Sequence, residues 1–427
     1  MRETSFSPSN WPVKRLRFAI ELNPVKSQVA ALDPESKVSF VPMEAIGELG
    51  QIYANSIKPL EEVYNGYTYF QDGDVVVAKI TPCFENGKGA LAKGLINSIG
   101  FGTTEFHVLR ANSTADPRWL YYLTASHTFR NIGASEMLGA GGQKRVPEAF
   151  IKNIRVALPP LLTQQKIADF LDRKTRQIDA LIEKKRALIK KLKEKRLAVI
   201  TQAVTRGLNP DSPLKDSGIE WLGQVPEHWE VRRLKFDSRI LCGYAFKSED
   251  FVDDGIPLVR ISDVLSSGSV NISAAAKLPD EYKQHYSNFS VLRGDIVMAM
   301  TGATIGKAAR YIHDEPSLLN QRVCIFREEV SLVKDFLWYI VKSAFFAEHV
   351  KLTGAGGAQP NISDRELLSC PATIPPVEEQ RAIIIDLEKT LWKLDAVIRN
   401  ADLIIDRLTE YRIALITAAV TGQLEIN

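Results

Sequence analysis

The feature that most constrains this sequence is an internal duplication. Residues 197–208 read LAVITQAVTRGL and residues 413–424 read IALITAAVTGQL, with seven of twelve positions identical at an offset of 216. Strings in the preceding segments match in the same order, WPVKRL with WEVRRL and GDVVVAK with GDIVMAM. Ordered matches of this kind indicate one structural unit built twice. The sequence therefore predicts the order domain, helix, linker, domain, helix.

The duplication also sets the predicted boundaries, since 427 residues are too many for a single hydrophobic core. The first domain is expected at 1–157 and its helix at 158–206. A linker at 207–228 follows, where the string NPDSPLKDSG combines two prolines with Asn, Asp and Ser and predicts no regular structure. The second domain is expected at 229–373 and its helix at 374–427.

Each predicted helix begins directly after a Pro-Pro pair, because proline suits the first turn of a helix and prevents its extension backwards. Apolar residues then recur every seven positions without an intervening Gly or Pro, which is typical of a coiled-coil seam. At 1.5 Å rise per residue each helix would span roughly 65 Å, the length of a spacer. The predicted seam residues are Leu171, Ile178, Ile182, Ile189, Leu192 and Val199 in the first helix, and Leu387, Leu394, Ile398, Ile405, Leu408 and Leu415 in the second.

The charges of the two helices favour their pairing with each other. Residues 161–205 hold twelve Lys or Arg against five Asp or Glu, whereas residues 377–421 hold six against eight. A basic run such as 184–196 is usually a solvated helix face, but here an acidic sister helix carries a matching seam. Antiparallel pairing is expected to relate the two domains by a pseudo-twofold axis. The excess positive charge would then face DNA or an acidic partner.

No motif in the sequence predicts a catalytic centre. The string GATIGK at Gly302 lacks the spacing of a phosphate-binding loop, and Ala308 stands where Ser or Thr would bind magnesium. The glycine-rich loops at Gly139 and Gly354 lack the third glycine of a dinucleotide site. The six histidines do not cluster, and the four cysteines have no metal-ligand spacing. We therefore expect no catalytic residue, metal or cofactor in the chain itself.

Composition predicts a cytoplasmic globular protein. Hydrophobic residues make up 45% and charged residues 25% of the chain, which are ordinary globular values. Scattered cysteines fit reduced thiols, and neither an apolar leader nor a run of apolar residues long enough to span a membrane is found. The net charge of +3 does not by itself indicate nucleic-acid binding.

The string DSGIEWLGQVPEHWEVRRLK, together with GYAFKSEDF at Gly243 and GIPLVRISDV at Gly255, closely resembles the specificity subunits of type I restriction-modification systems. The resemblance covers essentially the whole chain, although the first half lacks the full GIEWLGQVP lead-in. It implies an α+β fold in which two mixed α/β target-recognition domains are separated by two long helices that form an antiparallel coiled coil. Each domain would read one half of a bipartite, asymmetric DNA target, and the helices would set the spacer between the halves.

The same resemblance implies the partners. The helices would dock two methyltransferase subunits, which bind S-adenosylmethionine and methylate adenine, and restriction subunits in the complete complex. The chain would be a non-catalytic subunit that binds double-stranded DNA and contacts no membrane. Composition alone also allows an alternative, a coiled-coil scaffold that presents two protein-binding domains without DNA.

Side chains that suit DNA recognition occur at three places in each half. Base edges are recognised by bidentate Arg, Lys, Asn and Gln side chains, and phosphates by nearby cations. The three places are the loop after the GD strand, the glycine-rich loop and a strand region. The candidates in the first half are Glu44, Lys79, Thr81, Asn86, Lys88, Gln143, Lys144 and Arg145, and those in the second half are Tyr244, Arg260, Thr301, Thr304, Lys307, Gln321, Arg322, Gln359 and Asn361.

Several of these residues also suit a structural role. Gln143 and Gln359 would equally serve to tie each domain to its helix, and Tyr244 would equally pack beneath its loop. Trp119 and Trp338 occupy matching helical positions, where core packing is expected and base stacking is not. The two halves differ most at the loops, FENGKG against ATIGKA and GGQKRV against GAQPNI, which predicts two different half-sites.

Overall fold

The computed structural model describes residues 11–140, 142–354 and 360–426. These residues belong to two compact units, and each of the long helices contributes to both of them. The units are Met1–Ala187 with Ala401–Asn427, and Leu188–Asn400.

The first unit is a mixed domain of short strands and short helices that ends in a long helix. Its strands are β1 (Val13–Arg15), β2 (Ile20–Leu22), β3 (Lys37–Val41), β4 (Ser56–Pro59), β5 (Thr68–Gln71), β6 (Val75–Ala78), β7 (Gly89–Leu91), β8 (Ile99–Gly102), β9 (Phe106–Ala111) and β10 (Arg155–Ala157). Its helices are α1 (Leu60–Tyr64), α2 (Pro117–Ala125), α3 (His127–Ser135), α4 (Glu148–Asn153) and α5 (Leu161–Arg206), of which α5 continues into the second unit.

The strands of the first unit form two four-stranded sheets and one pair. An antiparallel sheet has the order β2-β9-β6-β7, and a mixed sheet has the order β4-β3-β8-β5, with β3 and β8 parallel. Strand β1 pairs with β10, so the strand that opens the domain lies beside the strand that leads into α5.

The second unit repeats this plan. Its strands are β11 (Leu214–Asp216), β12 (Gln224–Pro226), β13 (Glu230–Arg233), β14 (Ser238–Cys242), β15 (Ile256–Val259), β16 (Lys277–Leu278), β17 (Ser290–Val291), β18 (Ile296–Ala299), β19 (Ala308–Arg310), β20 (Ser317–Leu319), β21 (Val323–Glu328) and β22 (Pro371–Ile374). Its helices are α6 (Tyr282–His285), α7 (Lys334–Val341), α8 (Ala344–Thr353), α9 (Asp364–Leu368) and α10 (Val377–Val420), of which α10 continues into the first unit.

Strand order shows that the two units are repeats. The sheet β14-β21-β18-β19 corresponds to β2-β9-β6-β7, and β16-β15-β20-β17 corresponds to β4-β3-β8-β5, again with one parallel pair. Strand β13 pairs with β22 as β1 pairs with β10. The predicted α+β fold and its duplication are confirmed.

The largest hydrophobic cluster of each domain lies where the antiparallel sheet meets the helices that follow it, and a smaller cluster draws on strands of both four-stranded sheets. Helix α2 begins because Asp116 caps it, accepting from the amides of Arg118 and Trp119 at 2.8 and 3.1 Å. The Trp119 side chain is then fully buried, so the predicted core role is confirmed. Counted from the N-caps Asp116 and Val333, the residue of α7 that matches Trp119 is Phe336, which is also fully buried. The predicted match of Trp338 to Trp119 is therefore wrong by two positions, and Trp338 is half-buried against the core.

The two long helices run antiparallel within each unit, as predicted. In the first unit Nε of Arg412 donates to Oδ1 of Asp179 at 2.9 Å. In the second unit Nε of Arg196 donates to Oδ1 of Asp395 at 3.0 Å. Both residues of one pair correspond to those of the other at the repeat offset of 216. The duplication therefore extends to the ion pairs between the helices.

The predicted seam residues are all buried or half-buried. Leu171, Ile178, Ile182, Ile189 and Leu387 are buried, and Leu192, Val199, Leu394, Ile398, Ile405, Leu408 and Leu415 are half-buried. Near the ends of the helices other residues join the domain cores, among them Ile200, Val204, Ile416 and Val420. The heptad pattern does not single these out, because their partners are domain residues and not the other helix.

Each domain holds the C-terminal end of the long helix from the opposite repeat. The amide of His127, at the start of α3, donates to Oγ1 of Thr417 in α10 at 3.0 Å. The amide of Ala344, at the start of α8, donates to Oγ1 of Thr201 in α5 at 2.9 Å. These threonines occupy the same place in the repeated strings. Each satisfies a first-turn amide that has no partner within its own helix.

The prediction that the linker lacks regular structure is wrong for part of it. Strands β11 and β12 pair antiparallel, and Leu222 and Val225 are buried in the same core as Trp229. The prolines do not prevent this, because Pro213 precedes the strand and removes no ladder hydrogen bond from it.

No helix in the described part of the chain is long and apolar enough to cross a membrane.

Candidate nucleic-acid interface

Two of the predicted places in the first domain lie side by side. The loop 79–88 joins β6 to β7, and the glycine-rich loop follows α3. The amide of Thr81 donates to the carbonyl of Lys144 at 3.0 Å, and the amide of Lys144 donates to Oγ1 of Thr81 at 3.1 Å. Oγ1 of Thr81 in turn donates to the carbonyl of Gly142 at 2.5 Å. The Thr81 side chain therefore joins the two loops.

The third predicted place, the region around Glu44, contacts the loop 79–88 through Lys88. Its Nζ donates to the carbonyl of Met43 at 3.1 Å, beside the exposed side chain of Glu44. Sequence reasoning gave Lys88 a role at DNA, whereas the structure gives its ammonium group a bond within the domain. Lys79 is half-buried, and Asn86 and Lys144 are exposed. Gln143 is exposed as well, so Asn86, Gln143 and Lys144 are the side chains of this edge that are best placed to meet a ligand.

Arg145 already has a partner. Its Nε and Nη2 donate to the carboxylate of Glu105 at 3.0 and 2.7 Å, a bidentate pair. The hydrogen bond from Arg145 lowers the pKa of Glu105. Because a guanine contact would use the same fork of donors, Arg145 would have to share or leave this carboxylate to read a base.

The second domain brings its corresponding places together. Thr301, after β18, forms an antiparallel bridge with Asn361 of the glycine-rich segment. The amide of Met300 donates to the carbonyl of Arg322 at 3.0 Å. The side chains of Gln321, Arg322 and Asn361 are exposed. Two amides and one guanidinium group therefore share one edge of the domain.

The remaining candidates of the second domain have mainly structural contacts. Oγ1 of Thr304 donates to the carbonyl of Thr301 at 3.2 Å, and Lys307 is half-buried in the same turn. Nε of Arg260 lies 3.7 Å from the carboxylate of Asp263. Gln359 lies outside the described residues.

Tyr244 belongs to an aromatic cluster on the second domain. Its ring centroid lies 5.1 Å from that of Phe246 and 4.8 Å from that of Tyr286. Tyr244 is 41% exposed, whereas Phe246 and Tyr286 are half-buried. The carbonyl of Tyr244 accepts from the amide of Gln321 at 2.9 Å. Tyr244 therefore caps a packed cluster and also presents a face beside the Gln321 turn.

The tie between the first domain and its long helix is made by Gln164, not by Gln143, which is exposed. The fully buried side chain of Gln164 donates from Nε2 to the carbonyls of Pro159 and Thr114 at 2.8 and 2.9 Å. Its Oε1 accepts from the amide of Asp116 at 2.8 Å. One side chain therefore links the start of α5 to the cap of α2.

Gln380 makes the same tie in the second domain. Its Nε2 donates to the carbonyls of Pro375 and Ser331, and its Oε1 accepts from the amide of Val333, all at 2.8 Å. The signal was present in the sequence, because a glutamine follows each Pro-Pro pair at the same distance.

The sequence model of a protein family described as "Type I restriction modification DNA specificity domain" matches residues 8–191 and 226–399. One match falls on each half of the duplication, and together they cover most of the chain. The chain belongs to the family of type I restriction-modification specificity subunits. The family predicted from the sequence is thereby confirmed.

Individual relatives agree with this assignment. The specificity subunit is 28% identical to the type I restriction enzyme EcoAI specificity subunit of Escherichia coli, over 92% of this chain and 80% of that protein. It is also 28% identical to the MjaVIII specificity subunit of Methanocaldococcus jannaschii, over 78% and 75% of the two chains. A chain from a solved structure described as showing complex assembly and conformational transition of the type I R-M system has the same fold, with a TM-score of 0.74 and 19% identity over 98% of this chain and 99% of that one.

Two residues that hold the loops of the candidate interface in place were not predicted from the sequence. Glu105 was not considered, although it engages Arg145. Arg130 was not considered either, although it is buried behind the loop 79–88. Glu105 is 40 residues from Arg145, and Arg130 is 43 and 46 residues from the loop carbonyls that it binds, so no local pattern could have revealed these contacts.

Proposed function

We propose that this specificity subunit recognises a bipartite, asymmetric double-stranded DNA target, with one half-site for each domain. The supporting observation is that each domain gathers exposed amide and cationic side chains on hydrogen-bonded loops, Asn86 and Lys144 in the first and Gln321, Arg322 and Asn361 in the second. Asn and Gln suit adenine, and Arg and Lys suit guanine. Because the strand framework repeats while these side chains differ, the two half-sites differ in sequence.

The helices set the spacer between the half-sites and dock two methyltransferase subunits, and restriction subunits in the complete complex. This is supported by apolar side chains that α10 exposes, since Ile385 is 68% and Trp392 is 69% exposed. Seven residues apart, they lie on one face of the helix. Exposed large apolar groups on one face are typical of a protein interface. The chain itself is non-catalytic, and the methyltransferase subunit binds S-adenosylmethionine.

The proposal is tested by expressing the specificity subunit with its methyltransferase partner in a methylation-free host and sequencing the methylome. We expect methylated adenine in one motif that has two different halves and a fixed spacer. Binding of the purified complex to DNA should weaken steeply with salt, because phosphate contacts release counterions. Absent or salt-insensitive DNA binding would favour the scaffold alternative.

Replacing Arg322 by alanine is expected to weaken discrimination at the second half-site alone. Loss of one bidentate base contact costs about 1–3 kcal/mol, or roughly fivefold to 150-fold in relative affinity. The measurement is competition binding with DNA in which one half-site at a time is scrambled. Lys235→Ala, which removes the same charge from an exposed side chain of the same unit, is the matched control. Equal losses in the two variants would mean that Arg322 contributes charge only.

Replacing Trp392 by alanine is expected to weaken the complex with the methyltransferase subunit while leaving the fold intact. Buried interface tryptophans contribute about 2 kcal/mol or more, so the dissociation constant should rise at least about thirtyfold. Titration calorimetry of the two purified subunits measures it. Phe236→Ala, at a side chain that is 62% exposed on the second domain, is the control. An unchanged dissociation constant for the Trp392 variant would exclude this face from the docking surface.

A further inference from the structure

Arg130 in α3 is a buried cation held by backbone carbonyls. Only 8% of the residue is exposed. Its Nε donates to the carbonyl of Thr124 at 2.7 Å, Nη1 to that of Phe84 at 3.0 Å and Nη2 to that of Gly87 at 3.2 Å. The guanidinium carbon also lies 4.8 Å from the centroid of the Phe84 ring. Burial lowers the pKa of Arg130 to about 10, so the group remains charged at neutral pH.

Two of these carbonyls belong to the loop that carries Asn86. The amide of Asn86 donates to the carbonyl of Pro82 at 2.9 Å, and the amide of Gly87 donates to that of Phe84 at 3.0 Å, which makes a tight turn. Asn86 therefore lies between the two residues whose carbonyls Arg130 holds, and its own side chain is exposed. A planar guanidinium group fixes the direction of the carbonyls it binds. The third bond anchors the turn to the end of α2.

The strand after this loop is shaped to admit the guanidinium group. A Cβ at Gly89 would lie 2.9 Å from Nη2 of Arg130 and 3.0 Å from the carbonyl oxygen of Val76. Gly89 pairs with Val77 as Ala308 pairs with Met298 in the second domain. The second domain thus has a side chain where the first leaves room for Arg130.

The second domain lacks this arginine. Ser126 and Ser343 cap the corresponding helices α3 and α8, accepting from the amides of Phe129 and Phe346. The residue after this phenylalanine is Arg130 in the first domain and Ala347 in the second. There a different cation, Lys342, donates to the carbonyl of Ala308 at 3.3 Å. The carbonyl clamp on the turn is therefore a feature of the first domain.

We propose that Arg130 is a positioning residue for base recognition by the first domain. It clamps the backbone of the turn 84–87 and so presents Asn86 to DNA in a single orientation. Arg130 acts through Asn86 and touches no base itself, since it is buried. This inference rests on the proposed function, namely that the first domain recognises one half-site.

The test compares Arg130→Met, which removes all the donors, with Arg130→Lys, which keeps the charge but cannot span three carbonyls. The half-sites are first identified from the wild-type methylome. Competition binding of the methyltransferase complex then uses DNA with either half-site scrambled. For Arg130→Met we expect discrimination at the first half-site to fall by about fivefold or more, the lower end of one bidentate contact. Discrimination at the second half-site and affinity for random DNA should not change. Arg130→Lys should be intermediate.

Two further measurements separate positioning from a general loss of structure. Hydrogen exchange of the amides of residues 84–88 should be faster in Arg130→Met, whereas exchange in α10 should match that of the wild type. Lys342→Met, which breaks a half-buried bond from a cation to a carbonyl in the second domain, should leave discrimination at the first half-site intact.

Three results would overturn the inference. One is wild-type discrimination at the first half-site in Arg130→Met. Another is an equal loss at both half-sites or on random DNA. The last is failure of both Arg130 variants to unfold cooperatively, which would make Arg130 a core residue only. Failure of the proposed function is distinguishable, because then the wild-type complex would show no bipartite motif.

Discussion

Replacing Gln380 by leucine is expected to lower the free energy of unfolding of the second unit by about 3–5 kcal/mol. The side chain is fully buried and makes three hydrogen bonds to backbone groups. Leucine has a similar volume, so the main loss is not a cavity. It leaves the amide of Val333 and the carbonyls of Pro375 and Ser331 without a partner, and each orphaned buried group costs about 1–3 kcal/mol.

Chemical denaturation of the full chain, followed by circular dichroism and tryptophan fluorescence, measures this change. Gln202→Leu is the matched control, since Gln202 is exposed on α5 in the same unit and should change the free energy by less than about 0.5 kcal/mol. Gln164→Leu should reproduce the effect of Gln380→Leu in the first unit. A cost for Gln380→Leu no larger than that of the control would refute the assigned role.

Replacing Arg412 by methionine is expected to cost about 3 kcal/mol, whereas the corresponding Arg196→Met should cost about 1 kcal/mol or less. Arg412 is only 4% exposed. It binds both carboxylate oxygens of Asp179, at 2.9 and 3.3 Å, and the carbonyl of Leu49 at 2.9 Å. The side chains of Arg196 and Asp395 are each about one-third exposed, so water can replace their bond.

The duplication thus provides two versions of one ion pair that differ in burial and in the number of hydrogen bonds that the arginine makes. Denaturation of the two single variants gives the comparison directly. A double-mutant cycle of Arg412→Met with Asp179→Asn isolates the pairwise coupling, because removing one partner alone leaves the other uncompensated. Equal costs for the two arginines would mean that neither burial nor the additional hydrogen bonds of Arg412 strengthen this pair.

Most of the fold could be predicted from the sequence because its signals are local. Pro-Pro pairs mark the starts of the helices, and the heptads mark their seam. The repeated strings show that one strand arrangement occurs twice. The hairpin in the linker could not be predicted, because it depends on the burial of Leu222 and Val225 in a core formed by distant residues.

The sequence predicted the position of the candidate site better than it predicted which side chains are free to contact a ligand. The predicted loops do meet in each domain, because the segment after β6 or β18 is hydrogen-bonded to the glycine-rich segment that follows α3 or α8. The bonds that engage Lys88 and Arg145 join residues about 40 apart in the chain, and no pattern in the sequence reports such pairs. Residue type also does not tell whether a glutamine is exposed or buried. Only the recurrence after Pro-Pro separates Gln164 from Gln143.

The bonds of Thr417 and Thr201 have a consequence for synthesis on the ribosome. The first unit needs Ala401–Asn427, so it lacks the partner of His127 until Thr417, 290 residues further along the chain, has been translated. The second unit needs only Leu188–Asn400, which emerges as one continuous segment. The domain that is synthesised first is therefore completed last. Until then the amide of His127, in the first turn of α3, lacks its hydrogen-bond acceptor.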